Sequence, residues 1–216
     1  MADVSPAARA AVEPTTPVPP ALPLADPAPL GLGAFALTTF VLSVHNAFPV
    51  QSPDLTWIGL AFFYGGLAQF MAGMFEFRNR NVFGATAFST YGAFWLSLGF
   101  FALFLGKAAG ADFTKDLGWF LLAFAVFNTY MLLWSARVSG AVFGVFLTLE
   151  ITEILLFIGF FILGFGNNPN DTAFIRWGGG VGIITAVVAW YASAAGVING
   201  LAGRPVVPVG AAFWRG

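Results

Sequence analysis

Two glutamates, Glu150 and Glu153, interrupt an otherwise uncharged apolar run over 141–165. At a spacing of i,i+3 they share one helix face, where like charges repel. A carboxylate at membrane depth costs on the order of 3 kcal/mol, and a like charge beside it adds to that. Three arrangements relieve the cost: one of the pair is protonated, the pair faces water, or a donor elsewhere in the chain meets it. A carboxyl that exchanges a proton as a solute passes would couple the two movements. The same pair would equally attract a cation such as ammonium or a proton, or form a hydrogen-bonded contact between subunits.

Other polar side chains lie in apolar surroundings. Thr38, Thr39, Ser43, His45 and Asn46 fall in one stretch, and Tyr64, Gln69 and Glu76 in the next. Thr86, Ser89, Thr90, Tyr91 and Ser97 follow, then Asn128, Thr129 and Tyr130. Most are neutral donors or acceptors, and no lysine or arginine accompanies them at depth. Such a lining suits a small, weakly hydrated or protonatable solute, with aromatic and aliphatic residues testing its size. The plainer role is interhelical hydrogen bonding, worth roughly 0.6 kcal/mol per bond in a membrane. Imidazole is a common metal ligand, and the chain supplies it at His45. As the one histidine in a chain without cysteine, it cannot build a histidine-rich or thiolate metal site. No nucleophile with its base is assembled either, so no catalytic residue, metal or cofactor is expected. A net charge of −1 offers no basic face to nucleic acid.

These groups need a scaffold that crosses lipid. Of 216 residues 58% are hydrophobic and 9% charged, against roughly a quarter charged in a soluble domain. A crossing helix takes about 20 mostly apolar residues, and six stretches supply them: 31–48, 57–77, 82–106, 117–135, 141–165 and 174–199. Short connections at 49–54, 78–81, 107–116 and 166–171 force neighbouring helices to run antiparallel. The expected fold is all-α, an integral membrane bundle of six transmembrane helices over 27–200. A Pro/Ala-rich tail at 1–26 resists helix and lacks the apolar core of a signal peptide, so it reads as disordered; a short C-terminal tail covers 201–216. Arg9, Arg78, Arg80, Arg137, Arg204 and Arg215 fall on one side of the bundle, and Lys107, Lys115 and Arg176 on the other. The positive-inside rule then puts both termini in the cytoplasm. Small residues (Gly65, Gly66, Ala68, Ala72, Gly73, and Gly178, Gly179, Gly180, Gly182) allow the close backbone contact that holds helices together in lipid.

Three segments carry a family resemblance. PAPLGL (27–32) opens the first span and is followed by Phe35, Thr38, Thr39, His45 and Asn46; FYGG (63–66) leads to Gln69, Gly73 and Glu76; FGATAFSTYGAFW covers 83–95. Together they resemble the acetate uptake transporter family, which includes bacterial acetate–succinate transporters and fungal acetate/ammonia membrane proteins. The resemblance is strong over 27–95 and weaker in the last three spans. It implies a multi-pass protein of the plasma or inner membrane, assembled as a homo-hexamer of six-helix protomers in the lipid bilayer. It also implies passage of small monocarboxylates such as acetate, with succinate and related acids, accompanied by protons. The family constriction of phenylalanine, tyrosine and leucine corresponds to Phe35, Tyr91 and Leu147, the last across an insertion. Thr38, Thr39, Asn46 and Gln69 are candidate hydrogen-bonding stations for the solute. Two features depart from the family pattern. Asp26 replaces the asparagine before PAPLGL, a mild change because aspartate also accepts at a helix start. Glu150 and Glu153 stand where relatives are mostly apolar, as sites of proton coupling or, alternatively, of an ammonium, proton or other cation conductance. Pro27, Pro29, Leu30 and Gly31 are expected to form an extended approach to a helix start that attracts anions.

Overall fold

The computed structural model describes residues 24–48, 55–166, 168 and 170–214. Most of the proline-rich tail at 1–26, with Arg9, Arg215 and the connection 49–54, lies outside them. All regular structure among the described residues is helical.

Helix α1 spans Ala28–Ala47. PAPLGL is therefore its first turn rather than an extended approach: Pro27 sits at the N-cap with φ −80° and ψ −12°, and Pro29 occupies a position whose N–H has no helical partner anyway. The second span is α2 (Thr56–Phe62), a π-helical turn (Phe63–Ala68) and α3 (Gln69–Arg78). The FYGG residues form that wider turn, and a methyl on Gly65 would lie 2.6 Å from Thr38 Oγ1 of α1. Bare glycine there is what lets the two helices touch. Helix α4 (Val82–Phe100) starts at Asn81, whose side chain accepts the Gly84 N–H at 3.1 Å.

Among the described residues, five helical stretches are long and apolar enough to cross a membrane, not six: Ala28–Ala47, Thr56–Arg78, Val82–Ser135, Gly140–Phe165 and Ala173–Ala202. The expected third and fourth spans share Val82–Ser135, because the link between them stays helical. It runs through a π turn (Phe101–Leu105), the single-turn α5 (Gly106–Ala109) and a 3-10 turn (Gly110–Asp112) into α6 (Phe113–Ser135). A straight helix of 54 residues would be about 80 Å long, far beyond a bilayer core of roughly 30 Å. The chain turns back instead. Phe101 stacks on Phe113 at 5.1 Å, Phe94 on Phe120 at 5.1 Å, and Tyr91 meets Phe127 at 5.5 Å. That order is antiparallel. Gly110, at φ 54°, takes the conformation the reversal needs.

Helix α7 (Gly140–Phe165) begins at Ser139, whose Oγ accepts the Val142 N–H at 3.2 Å. Helix α8 (Ala173–Ala202) ends at Gly203 in the left-handed region, φ 62°. Helices α1 and α8 lie antiparallel along their length. Ser193 Oγ donates to the Pro29 carbonyl at 2.6 Å at one end, and Gly179 abuts the backbone of Ala47 and Ser43 at the other. The expected C-terminal tail is a bound strap. Asn199 accepts the Val206 and Val207 N–H groups at 2.7 and 2.8 Å, while Val209 O caps α7 by accepting the Ala141 N–H at 2.7 Å.

A methyl at Gly179 would overlap Ala47 N and lie 2.7 Å from Ser43 O, backbone atoms that cannot rotate away. Gly179→Ala is expected to destabilise the protein by about 1–3 kcal/mol, read as a lower Tm in detergent. Gly180→Ala, with nothing within 4 Å, is the control and should not lower it.

Candidate functional site

Phe35 of α1 and Tyr91 of α4 are both buried and meet edge to face, ring centroids 5.7 Å apart. Two cavities approach this pair from opposite ends of the bundle. One, of about 300 Å³, extends to Asn46, Phe113 and Thr172, near the end that carries Lys115 and Arg176. The other, of about 70 Å³, extends to Asn81 and Val138, beside Arg80 and Arg137. Three residues line both cavities: Phe35, Tyr91 and Leu149. They form the septum between them.

The leucine expected at this position, Leu147, is elsewhere. It is 41% exposed on the outer face of α7, whereas Leu149 is 6% exposed. Two residues turn a helix by about 200°, so a shift of two places moves a side chain from the outside of the bundle to its interior. Leu149 takes the place expected for Leu147, with Phe146 one turn away and 6.4 Å from the Tyr91 ring.

Behind the septum lies a polar chain through three helices. The Tyr91 hydroxyl donates to Asn128 Oδ1 at 2.8 Å, and Asn128 Nδ2 donates to the Phe146 carbonyl at 3.0 Å and to Glu150 Oε2 at 2.7 Å. Thr129 Oγ1 meets the other Glu150 oxygen at 2.7 Å. Glu150 thus finds its donors inside the protein, on α6. Glu153 stands apart from its neighbour: it is 3% exposed, borders the larger cavity, and lies 3.3 Å from the Tyr91 hydroxyl through Oε1. The two glutamates flank one tyrosine but occupy different surroundings, one held by amide and hydroxyl, the other facing the cavity.

The expected hydrogen-bonding stations divide. Thr39 and Asn46 line the larger cavity and Gln69 the smaller. Thr38 lines neither; it is fully buried against Gly65. At the PAPLGL start, Asp26 Oδ1 accepts the Ala28 N–H at 2.9 Å, so the chain's own carboxylate occupies the place where an anion would be collected. Gly31 packs against the Phe88 ring, where a methyl would come within 2.7 Å, and Leu30 is exposed. That element docks α1 against α4. Leu149 and Asn128 were not singled out by the residue pattern. Leu149 is one leucine among many, and Asn128 carried only the general signal of an amide at membrane depth.

Asn128→Ala leaves Tyr91 and Glu150 each short of a partner. The expected cost is about 1–3 kcal/mol, read as a lower Tm than that of Thr129→Val, which removes one contact to Glu150.

The model of the GPR1/FUN34/yaaH family matches residues 9–209. Acetate permease A of Emericella nidulans is 39% identical over 202 residues, covering 88% of this chain and 67% of the relative. The succinate-acetate/proton symporter SatP of Escherichia coli is 36% identical over 190 residues, covering 87% of this chain and 96% of the relative. Ammonia transport outward protein 2 of Saccharomyces cerevisiae is 39% identical over 181 residues, covering 80% of this chain and 61% of that protein. The chain therefore spans about two thirds of the fungal relatives' length and nearly all of the bacterial one's. The solved structure of the bacterial acetate channel SatP superposes with a TM-score of 0.76 at 36% identity, over 87% of this chain and 99% of that one. With a family model matched over nearly its whole length and a helical scaffold shared with a solved relative, the chain belongs to the GPR1/FUN34/yaaH family.

Proposed function

We propose that this chain is a membrane channel or transporter for small monocarboxylates, acetate foremost and succinate or related acids within its range, moving together with protons. The observation that carries the reading is the septum: two cavities from opposite ends of the bundle meet at Phe35, Tyr91 and Leu149. An aromatic and aliphatic ring of that kind admits a solute by size. The names of the fungal and bacterial relatives point to acetate and succinate. In this reading Val82–Ser135 crosses the bilayer twice, which makes six crossings, with both termini on the cytoplasmic side of a plasma or inner membrane. The arginines at 78, 80, 137 and 204 against Lys107, Lys115 and Arg176 support that orientation. Assembly as a homo-hexamer belongs to the same reading and rests on the family resemblance. Glu150 and Glu153 are the proton-coupling candidates.

A cation pathway is the second reading, favoured by the relative named for ammonia transport. It is the weaker one for Glu150, because both oxygens of that carboxylate already meet donors of α6.

Labelled acetate should enter proteoliposomes containing the protein faster than empty vesicles. Leu149→Ala should admit a bulkier acid such as butyrate about tenfold better relative to acetate, since a methylene in an apolar pocket is worth roughly 1–3 kcal/mol of discrimination. Leu147→Ala should leave that ratio unchanged. Ammonium flux that is indifferent to acetate, with no acetate uptake, would replace this reading with the cation pathway.

A further inference from the structure

Asn128, Thr129 and Glu150 line neither cavity, yet one hydrogen-bonded chain ties them to the tyrosine of the septum. Asn128 is fully buried, and its amide can stand only one way round. Nδ2 faces the Phe146 carbonyl at 3.0 Å and Glu150 Oε2 at 2.7 Å, so Oδ1 takes the Tyr91 hydroxyl proton at 2.8 Å. A flipped amide would set its oxygen against the Phe146 carbonyl, which can only accept.

The bond from Asn128 to Glu150 holds in either protonation state of the glutamate. Thr129 Oγ1 lies 2.8 Å from the Ala125 carbonyl and 2.7 Å from Glu150 Oε1, with one proton for the two. If that proton goes to Glu150, the glutamate is a carboxylate with a donor at each oxygen. If it goes to Ala125, Oε1 carries a proton and donates it to Thr129, and Oε2 stays a carbonyl oxygen. Both ways, Oε2 accepts from Asn128.

Phe146 and Glu150 stand one turn apart on α7, and Leu149 lies between them in the chain. Asn128 therefore bridges the Tyr91 hydroxyl to the stretch of α7 backbone that carries Leu149. Tyr91 and Leu149 are two of the three septum residues, and their separation sets its aperture.

We infer that Asn128 and Glu150 are positioning residues that set the size limit of the septum. Asn128 holds the Tyr91 ring at a fixed distance from Leu149, and Glu150 holds Asn128; the solute meets neither. Glu150 serves as a hydrogen-bond acceptor and not as a proton carrier. Of the two coupling candidates that leaves Glu153, which borders the larger cavity. Tyr91 on α4 and Glu153 on α7 are the titratable groups that feel the charge of Glu150. The inference rests on the monocarboxylate reading and deepens it by naming what fixes the largest acid admitted.

The test is the butyrate-to-acetate uptake ratio in proteoliposomes, followed across pH, for variants whose folding is checked by Tm and detergent elution. Asn128→Leu and Glu150→Leu each remove a link, and each should raise the ratio about fivefold. That factor is equivalent to about 1 kcal/mol, the net worth of one buried hydrogen bond. Glu150→Gln should keep the wild-type ratio and pH profile, because its amide oxygen accepts from Asn128 and its nitrogen donates to Thr129. Tyr91→Phe keeps the ring and loses the hydroxyl. It should relax the ratio as much, and adding Asn128→Leu to it should change nothing further. If neither leucine variant folds, Tyr91→Phe and Glu150→Gln decide the matter. A wild-type ratio in Tyr91→Phe or in a folded leucine variant, or a shifted pH profile in Glu150→Gln, would overturn the inference. Acetate uptake by wild type would still leave the monocarboxylate reading standing. Absence of uptake by folded wild type would overturn both.

Discussion

Tyr91 has to satisfy a hydroxyl at membrane depth while its ring closes the path between two cavities. In lipid a polar group finds no water, so its partner must be another part of the protein. The ring is enclosed by Phe35, Phe94, Phe127 and Phe146, with centroids from 5.5 to 6.4 Å away. The hydroxyl lies between Asn128 and Glu153. One side chain of α4 is thereby held from α1, α6 and α7 at once. A ring fixed on its faces and at its tip is a constriction of defined width, which a size test requires. It is also why the polar residues on α6 and α7 do not stand as isolated costs: each side-chain bond from Tyr91 to Glu150 satisfies a group that would otherwise be stranded.

The rest of the fold serves that placement. Without a hydrophobic drive between helices in lipid, contact depends on packing and interhelical hydrogen bonds. Glycine gives α1 its two neighbours: Gly65 seats Thr38, and Gly179 and Gly182 receive Ala47 and Ser43. Those contacts hold α1, and with it Phe35, in register with Tyr91. At the other end of the bundle the C-terminal strap brings Val209 O to the Ala141 N–H and Phe213 N–H to Ala136 O. That fixes the start of α7 and so the rotation that turns Leu149 inward.

Much of this was legible in the residues, with instructive exceptions. Phe35 follows the distinctive segment PAPLGL and Tyr91 sits in STYG, and the structure brings the two rings together. Leu147 shows the limit: α7 is apolar on every side, so no amphipathic stripe marks which leucine faces inward, and an insertion in the comparison sets the helix phase wrongly. The helix count differed for a related reason. Residues 101–112 carry no proline, and the chain turns through consecutive π, α and 3-10 turns with Gly110 at positive φ between the last two. Glu150 and Glu153 were recognisable as costly, but their separation was not. It is made by Asn128 and Thr129 on another helix, and such a contact has no local signature. The strap was equally silent, since Asn199 bonds to Val206 and Val207 through a turn with no periodicity.

The central claim is that Phe35, Tyr91 and Leu149 divide a path whose two halves face opposite sides of the membrane. The chain has no cysteine, so single cysteines can be placed without background. Asn46→Cys in the larger cavity and Val142→Cys in the smaller, each in oriented vesicles, are exposed to a membrane-impermeant thiol reagent from one side at a time. The account predicts labelling of Asn46→Cys from one side only and of Val142→Cys from the opposite side only, with acetate slowing both. Labelling of both from the same side would contradict it.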